Sequence, residues 1–397
     1  GCRLSAWSKW SVGGDGADHE PTANSRLPGK MNEANDQGIV RVIIAGGGTG
    51  GHLFPGLAVA DALGRRGPSR IVFVGSSRGI ETRVVSKRGY PLRTLPVRAL
   101  RGQGLLGLAN SALRLPASLL SAWRLLGEIR PDLLIGVGGY ASGPVVVAGW
   151  SRRIPTVLLE QNAHPGLTNR VLAHFADRIC VSFPESMEYF PRSRTVQTGN
   201  PVRPPAEPMT GHREGFSVLI FGGSAGAHRL NEIGVEAMAR LERSGLRVVH
   251  QTGDADLETV RHRYRRQGIE ADVRPFIDDM AAAYAAADIV VCRAGATTLA
   301  ELTALGKPAL LVPYPYAADD HQRKNAESLV ARGAAMMILD RELSAASLSQ
   351  AVTALRADPE RLATMARAAR RLGRPEAVER VVDVCLELIQ NRRRRAA

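Results

Sequence analysis

Twice along this chain of 397 residues, a β-branched run ends in a glycine-rich loop that opens a helical pattern. The first instance is "VRVIIA" (40–45) running into "GGGTGGHLFPG" (46–56), and the second is "SVLIFGG" (217–223) running into "SAGA" (224–227). Chains that alternate short β-branched runs with longer helical ones fold as parallel sheets covered by helices. The first series continues with "RIVFVG" (70–75), "LLIGVGG" (133–139), "TVLLE" (156–160) and "RICVS" (178–182). After a proline-rich break at 199–215 come "LRVVHQTG" (246–253), "DIVVCRAG" (288–295) and "PALLVP" (308–313). The expected fold class is α/β, with two doubly wound, Rossmann-like domains facing a cleft. Ligands in such sheets bind beyond the carboxyl ends of the strands, so the cleft is the expected site.

Residues 1–38 are expected to lie outside the fold as an extension. The first thirty lack periodicity and lack the basic start and apolar run of a secretory signal. Met31, just before the first strand-like run, is the expected natural start. Residues 39–200 are read as the N-terminal domain, 201–374 as the C-terminal domain, and 375–397 as a terminal helix with a basic tail.

No stretch approaches the roughly 18 consecutive apolar residues of a membrane-spanning helix. The four cysteines are far apart in sequence, without zinc or disulfide spacing, which suits a reducing cytoplasm. A formal charge of +14 favours anionic partners. The basic residues are scattered, with one tight run at Arg392–Arg395, and no stacking platform accompanies them, so nucleic acid is not expected.

Gly46, Gly48 and Gly51 satisfy the dinucleotide fingerprint directly after a strand. A dinucleotide enzyme would place an acid at the end of the second strand, where Ser76, Ser77 and Arg78 stand instead. Those residues could suit a 2′-phosphate, which keeps an NADPH reductase open, and glycines that merely make a tight turn are the bland alternative. Two further loops, "GVGGYASGP" (136–144) and "GGSAGA" (222–227), also follow strands. Each bares backbone N–H groups at a helix N-terminus, where the dipole attracts phosphate. Three such loops exceed the needs of one dinucleotide and suit two phosphorylated substrates. In "RAGATTLAEL" (293–302), Glu301 lies within two turns of the glycine, where a carboxylate can accept from both hydroxyls of a ribose; a solvated helix residue is the alternative.

"GGGTGGHLFPGLAVA", "GVGGYASGP", "EQNAHPGLTNR", "GNPVR", "GGSAGA", "FIDDMAAAYAAADIVVCRAGATTLAEL" and "HQRKNA" together resemble, in order, the motifs of the MurG family of bacterial UDP-N-acetylglucosamine transferases. The resemblance runs from about residue 40 to 385. It implies a GT-B fold, no metal, no cofactor, and a terminal helix returning to the N-terminal domain. The implied reaction inverts the donor's anomeric carbon: the C4 hydroxyl of undecaprenyl-pyrophosphoryl-N-acetylmuramyl-pentapeptide attacks it, giving a β-1,4 bond and UDP. It also implies work at the cytoplasmic face of the plasma membrane in peptidoglycan synthesis. The implied donor contacts are Thr49, Gly50, Gly51, Asn162, Arg203, Ser224, Ile277, Ala296, Thr297, Thr298, Leu299, Glu301 and Gln322. Gly138, Gly139 and Tyr140 would face the acceptor pyrophosphate. The chain departs from the family at Leu159, where many members carry histidine before "EQN". Other UDP-sugar enzymes of the same fold, a lipid glucosyltransferase or an epimerase, are the nearest alternatives.

A sugar hydroxyl is a poor nucleophile and needs a base. His52, at a helix entrance that disfavours the imidazolium, is one candidate, and Glu160, at the end of a neighbouring strand, is the other. A structural cap on the turn is the bland role for His52, and a buried hydrogen-bonding strut for Glu160. Asp278 and Asp279 are read as helix caps, and the D-x-D of "GDADLE" (253–258) as a loop rather than a metal site.

The stretch 98–126 mixes Leu105, Leu106, Leu108, Leu113 and Leu115 with Arg98, Arg101 and Arg114. Apolar residues flanked by arginine suit contact with an anionic membrane surface. Leu119, Trp123 and Leu126 fall at helical spacing and are expected in the core.

Overall fold

The computed structural model describes residues 38–76, 81–97, 105–202 and 215–396. The first seven strands are β1 (Val40–Gly46), β2 (Ser69–Ser76), β3 (Leu92–Leu95), β4 (Leu133–Gly138), β5 (Thr156–Glu160), β6 (Arg178–Val181) and β7 (Thr195–Gln197). They form one parallel sheet in the order β3-β2-β1-β4-β5-β6-β7. A second parallel sheet holds β8 (Phe216–Phe221), β9 (Leu246–Gln251), β10 (Ala271–Arg274), β11 (Ile289–Cys292), β12 (Ala309–Leu311) and β13 (Met336–Met337). Its order is β10-β9-β8-β11-β12-β13.

Parallel neighbours need helical crossovers, which cover both faces of the sheet, so the central strands read as unbroken apolar runs. Every residue of β4 is buried. The edge strands β3, β7, β10 and β13 escape the sequence reading because they are short and, as LRTL, TVQ and ADVR in the first three show, lack the unbroken apolar run of the interior strands. In both sheets the strand order reverses beside the first strand, between β1 and β4 and between β8 and β11. These are the topological switch points at which doubly wound sheets open a crevice.

The terminal helix Ala377–Ala396 leaves the second sheet and completes the core of the first. Its Val378, Val381, Val382, Cys385 and Ile389 repeat at helical spacing and pack with Leu57, Leu63 and Leu159. Arg66 anchors the contact, with Nη2 3.0 Å from both Glu379 and Asp383. The two crossings of the chain between domains touch. Gly199, at φ +88°, lies so close to Arg374 that a Cβ there would sit 2.5 Å from that of the arginine.

Trp123 corrects the expectation of a core position. Along the helix Leu105–Ile129 the buried line runs through Ser118, Ala122 and Leu126, and Trp123 is 48% exposed. Ala122 and Leu126 pack in one cluster with Val145 and Ala148 of the helix Ser142–Ser151, and Ser118 Oγ donates to the Pro96 carbonyl at 3.1 Å. The ring turns outward and the Arg152 guanidinium stacks 3.7 Å from its centroid.

Candidate active site

All the glycine loops singled out in the sequence emerge at the two switch points: residues 46–51 after β1, 138–140 after β4, 222–227 after β8 and 293–296 after β11. The first two interlock. Gly46 at φ +148° has the Gly138 carbonyl where a Cβ would stand, and Gly139 at φ +80° has the Gly47 carbonyl there. Side chains at these positions would force the loops apart.

The first loop is not free to hold a pyrophosphate at its centre. Glu81, from the helix Glu81–Lys87, reaches back and accepts from Gly48 N and Ser76 N, each at 2.9 Å, and from Ser76 Oγ at 2.8 Å. Burial pushes this carboxyl up, but the backbone and hydroxyl donors outweigh it and hold the group below its usual range. The protein's own anion thus sits above β1 and β2, where a dinucleotide would need its phosphates. Sequence reasoning missed Glu81; its signal was only an acid five residues beyond the second strand.

His52 occupies the first turn of the helix Gly50–Arg66. Its ring lies against Gly138, and Nδ1 is 3.1 Å from Thr49 Oγ1. Burial and the nearby His321 lower its pKa to about 4, against a smaller opposing pull from a backbone hydrogen bond to Gly47. Within the same helix Pro55 has no N–H to give to the Gly51 carbonyl. That carbonyl instead faces Thr297 Oγ1 of the C-terminal domain at 3.5 Å, joining the two switch points across the cleft.

Glu160 ends β5 with 2% of its surface exposed. It accepts from Asn162 N (2.9 Å), Asn162 Nδ2 (3.2 Å), Asn169 Nδ2 (3.0 Å) and Gly166 N (3.3 Å). Burial raises its pKa, and these donors partly restore the charge. Its lone pairs are thus committed to shaping the 160–169 loop. That loop meets the C-terminal domain through Asn325, on the helix His321–Val330. Asn325 accepts from Ala163 N at 2.8 Å and donates to Asn162 Oδ1 at 3.1 Å and Ala294 O at 3.3 Å. A second tie runs from Glu185 to Ser328 Oγ (2.9 Å) and Arg332 (2.7 Å). Asn325→Ala should lower stability by about 2 kcal/mol, since it strands buried polar partners, and should also slow turnover as Asn162 loses its anchor. A melting curve and a rate matching the parent would remove this role.

In the C-terminal domain, the helices His228–Met238 and Ala296–Leu305 both start in the crevice without a side-chain cap. Their first N–H groups have no intrahelical partner and no side-chain acceptor from the N-cap. Ser224 is exposed on the loop before the first of them. Gln251 takes the Ile277 N–H at 2.9 Å, and Gln322 Oε1 accepts from both Ala294 N (3.1 Å) and Tyr314 N (3.0 Å). Glu301 receives the Tyr284 hydroxyl on Oε2 at 2.8 Å. Burial raises its pKa, with that hydrogen bond pulling the other way. Tyr284 was not anticipated as part of the site. Asp279 caps the helix Met280–Ala286 through Ala282 N at 2.9 Å. Asp256 of the D-x-D is tied to His228 (2.9 Å) and Asn231 (2.8 Å). Arg203 lies outside the described residues.

Two facing Rossmann-like domains, each with glycine loops at its switch point, have the GT-B architecture. Residues 42–181 match the glycosyltransferase family 28 N-terminal domain, and residues 217–381 its C-terminal domain. The chain is 50% identical over 361 residues to a UDP-N-acetylglucosamine–N-acetylmuramyl-(pentapeptide) pyrophosphoryl-undecaprenol N-acetylglucosamine transferase from Anaeromyxobacter sp. (strain Fw109-5), covering 89% of this chain and 94% of the relative. It is 48% identical over 358 residues to the Myxococcus xanthus protein of the same description, covering 88% and 94%. The crystal structure of Acinetobacter baumannii MurG superposes with a TM-score of 0.74 at 34% identity, covering 88% of this chain and 99% of that one. The chain belongs to this family of N-acetylglucosamine transferases.

Proposed function

We propose that this chain moves N-acetylglucosamine from UDP-N-acetylglucosamine to the C4 hydroxyl of the muramyl sugar of undecaprenyl-pyrophosphoryl-N-acetylmuramyl-pentapeptide, with inversion. The observation that carries this reading is the placement of His52, a neutral imidazole against Gly138, at the seam of two glycine loops. In the tautomer whose Nδ1–H donates to Thr49 Oγ1, Nε2 takes the proton of the attacking hydroxyl. The new O4–C1 bond forms as the C1–O bond to phosphate breaks, and that electron pair goes to the leaving UDP. Negative charge developing on the diphosphate is met by Ser224 and by the uncapped N-termini of the helices His228–Met238 and Ala296–Leu305. Arg203 adds a positive charge in the same role.

Glu301 Oε1 accepts from the ribose while Tyr284 holds Oε2. The Ile277 carbonyl is left for the uracil, its N–H being taken by Gln251. Thr49, Gly50, Gly51, Asn162 and Gln322 complete the donor side. Gly138, Gly139 and Tyr140 face the acceptor pyrophosphate, which leaves Glu160 as the strut of the Asn162 loop. The test is direct: UDP should appear only when the chain receives both UDP-N-acetylglucosamine and the lipid-linked muramyl acceptor. UDP release independent of the acceptor, or none with both, would end this reading.

No helix among the described residues is long and apolar enough to cross a membrane. The proposed polyprenyl acceptor lies in the bilayer, and the reading places the encounter at its cytoplasmic leaflet. Leu115, Leu120, Trp123 and Trp150 expose large apolar side chains in the N-terminal domain, with Arg152 beside Trp123. Arg98 and Arg101 lie outside the described residues, as do the side chains of Leu105, Leu106, Leu108, Leu113 and Arg114. Binding to anionic vesicles should weaken steeply between low salt and about 0.5 M salt, where the Debye length falls to a few ångströms. A chain that ignores anionic vesicles at low salt would dismiss the surface contact.

A further inference from the structure

Three successive glycines, Gly46, Gly47 and Gly48, have φ of +148°, +141° and +86°. Glycine enters and leaves such conformations at little steric cost, so the loop has no side chain of its own to hold its peptides in one orientation. Yet it leads into the helix that carries His52. Glu81 supplies the missing restraint from outside the loop.

The Glu81 carboxylate is buried and its two oxygens have separate partners. Oε1 accepts from Ser76 N at 2.9 Å and Ser76 Oγ at 2.8 Å, which ties the group to β2, and Oε2 accepts from Gly48 N at 2.9 Å. Two glycines make room for it. A Cβ at Gly47 would stand 2.7 Å from Glu81 Cδ, and one at Gly75 would stand 2.7 Å from Cγ. Gly48 N–H and the Gly47 carbonyl belong to one planar trans peptide and point in opposite directions. Holding the N–H toward Glu81 therefore turns the carbonyl away from it. On that side the Gly47 carbonyl takes a hydrogen bond from the His52 ring, and it packs on Gly139, where a Cβ would stand 2.5 Å from it. The next residue, Thr49, continues the line: its carbonyl accepts from His52 N at 3.3 Å, and its hydroxyl lies 3.1 Å from His52 Nδ1.

We propose that Glu81 is a positioning residue for His52, setting the orientation and tautomer of the imidazole through the Gly47–Gly48 peptide. A carboxylate suits this task because both of its oxygens only accept. In Glu81→Gln one end of the amide must turn its N–H groups toward Gly48 N or Ser76 N, donor against donor. With its oxygens taken by Gly48 and Ser76, Glu81 acts through His52 and not on a substrate. The leverage is large, since moving a reacting group by about 1 Å can cost about 10²-fold in rate.

The inference rests on the transferase reading for its effect on rate, and one arm of its test needs no substrate. The ring nitrogens of His52 are followed by NMR in the free chain, with His52→Ala identifying their signals among those of the nine histidines. The parent is expected to show one dominant neutral tautomer at neutral pH, and Glu81→Gln a mixture of the two. In turnover, Glu81→Gln should lower kcat at least about tenfold, while the Kd for UDP stays within about twofold of the parent. Made in the His52→Ala background, the same substitution should cost little more, because residues acting through one another are not additive. Should Glu81→Gln fail to fold, Glu81→Asp, which keeps the charge and withdraws it by one methylene, is read in the same way. Unchanged His52 signals in a folded Glu81 variant, or an undiminished further loss of kcat on top of His52→Ala, would overturn the proposal. A parent that transfers no sugar, with His52 signals that still depend on Glu81, would sink the transferase reading and leave the hold on His52 standing.

Discussion

The His52→Ala variant is expected to transfer sugar about 10² to 10⁴-fold more slowly, the usual worth of a positioned base. Its affinity for UDP should stay close to that of the parent. The imidazole rests against Gly138 and touches the residues assigned to the donor through a single hydrogen bond, to Thr49 Oγ1, so kcat should carry most of the loss and UDP binding little of it. The same assignment fixes a pH dependence. His52 works as the neutral ring, and in the free protein burial and His321 hold its pKa down to about 4. Because the folded pKa is depressed, kcat/KM should be flat above that value and fall as pH drops through it. Two bound pyrophosphates add negative charge nearby, which favours the imidazolium, so the acid limb of kcat should lie at higher pH than that of kcat/KM. Near-parental turnover in a folded His52→Ala protein, or an acid limb unchanged by the substitution, would remove His52 from the chemistry.

Glu301→Ala should weaken UDP binding about 10 to 10²-fold, the loss of hydrogen bonds to a charged group. Truncation also strands the Tyr284 hydroxyl, a buried group with Glu301 as its acceptor, so some stability should go with it. Glu301→Gln separates the two effects. Its carbonyl still receives Tyr284, so the melting temperature should recover, while a neutral amide cannot accept from the ribose with the strength of a carboxylate. Burial raises the pKa of Glu301, so UDP affinity should also decline on acidification earlier than for an ordinary carboxylate. Unchanged UDP affinity in both variants would place the ribose elsewhere.

The central architecture was legible because it is written in local pattern: a β-branched run, then glycines, then a helix, repeated. The positions of the loops at the switch points followed from that pattern and from the rule of where doubly wound sheets bind. What escaped was set by contacts distant in sequence. Glu81 becomes part of the first loop only when the helix after β2 folds back over Gly48, and Tyr284 becomes part of the nucleotide half only through the helix that carries Glu301. Asn325 joins residues 162 and 163 to 294 from the middle of a motif that could be recognised but not assigned a role from spacing. Trp123 shows the limit of periodicity: helical spacing names two adjacent faces equally well, and it is Ala122 and Leu126 that pack with Val145 and Ala148.

The return of the helix Ala377–Ala396 to the first sheet has a consequence for how the protein is made. The N-terminal domain leaves the ribosome first, yet Val378, Val381, Val382, Cys385 and Ile389 belong to its core. Its own apolar surface therefore stays uncovered through the synthesis of the entire second domain. Until residue 389 has been added, Leu57, Leu63 and Leu159 lack part of the helix that packs with them. The first domain to be translated is the last to be finished.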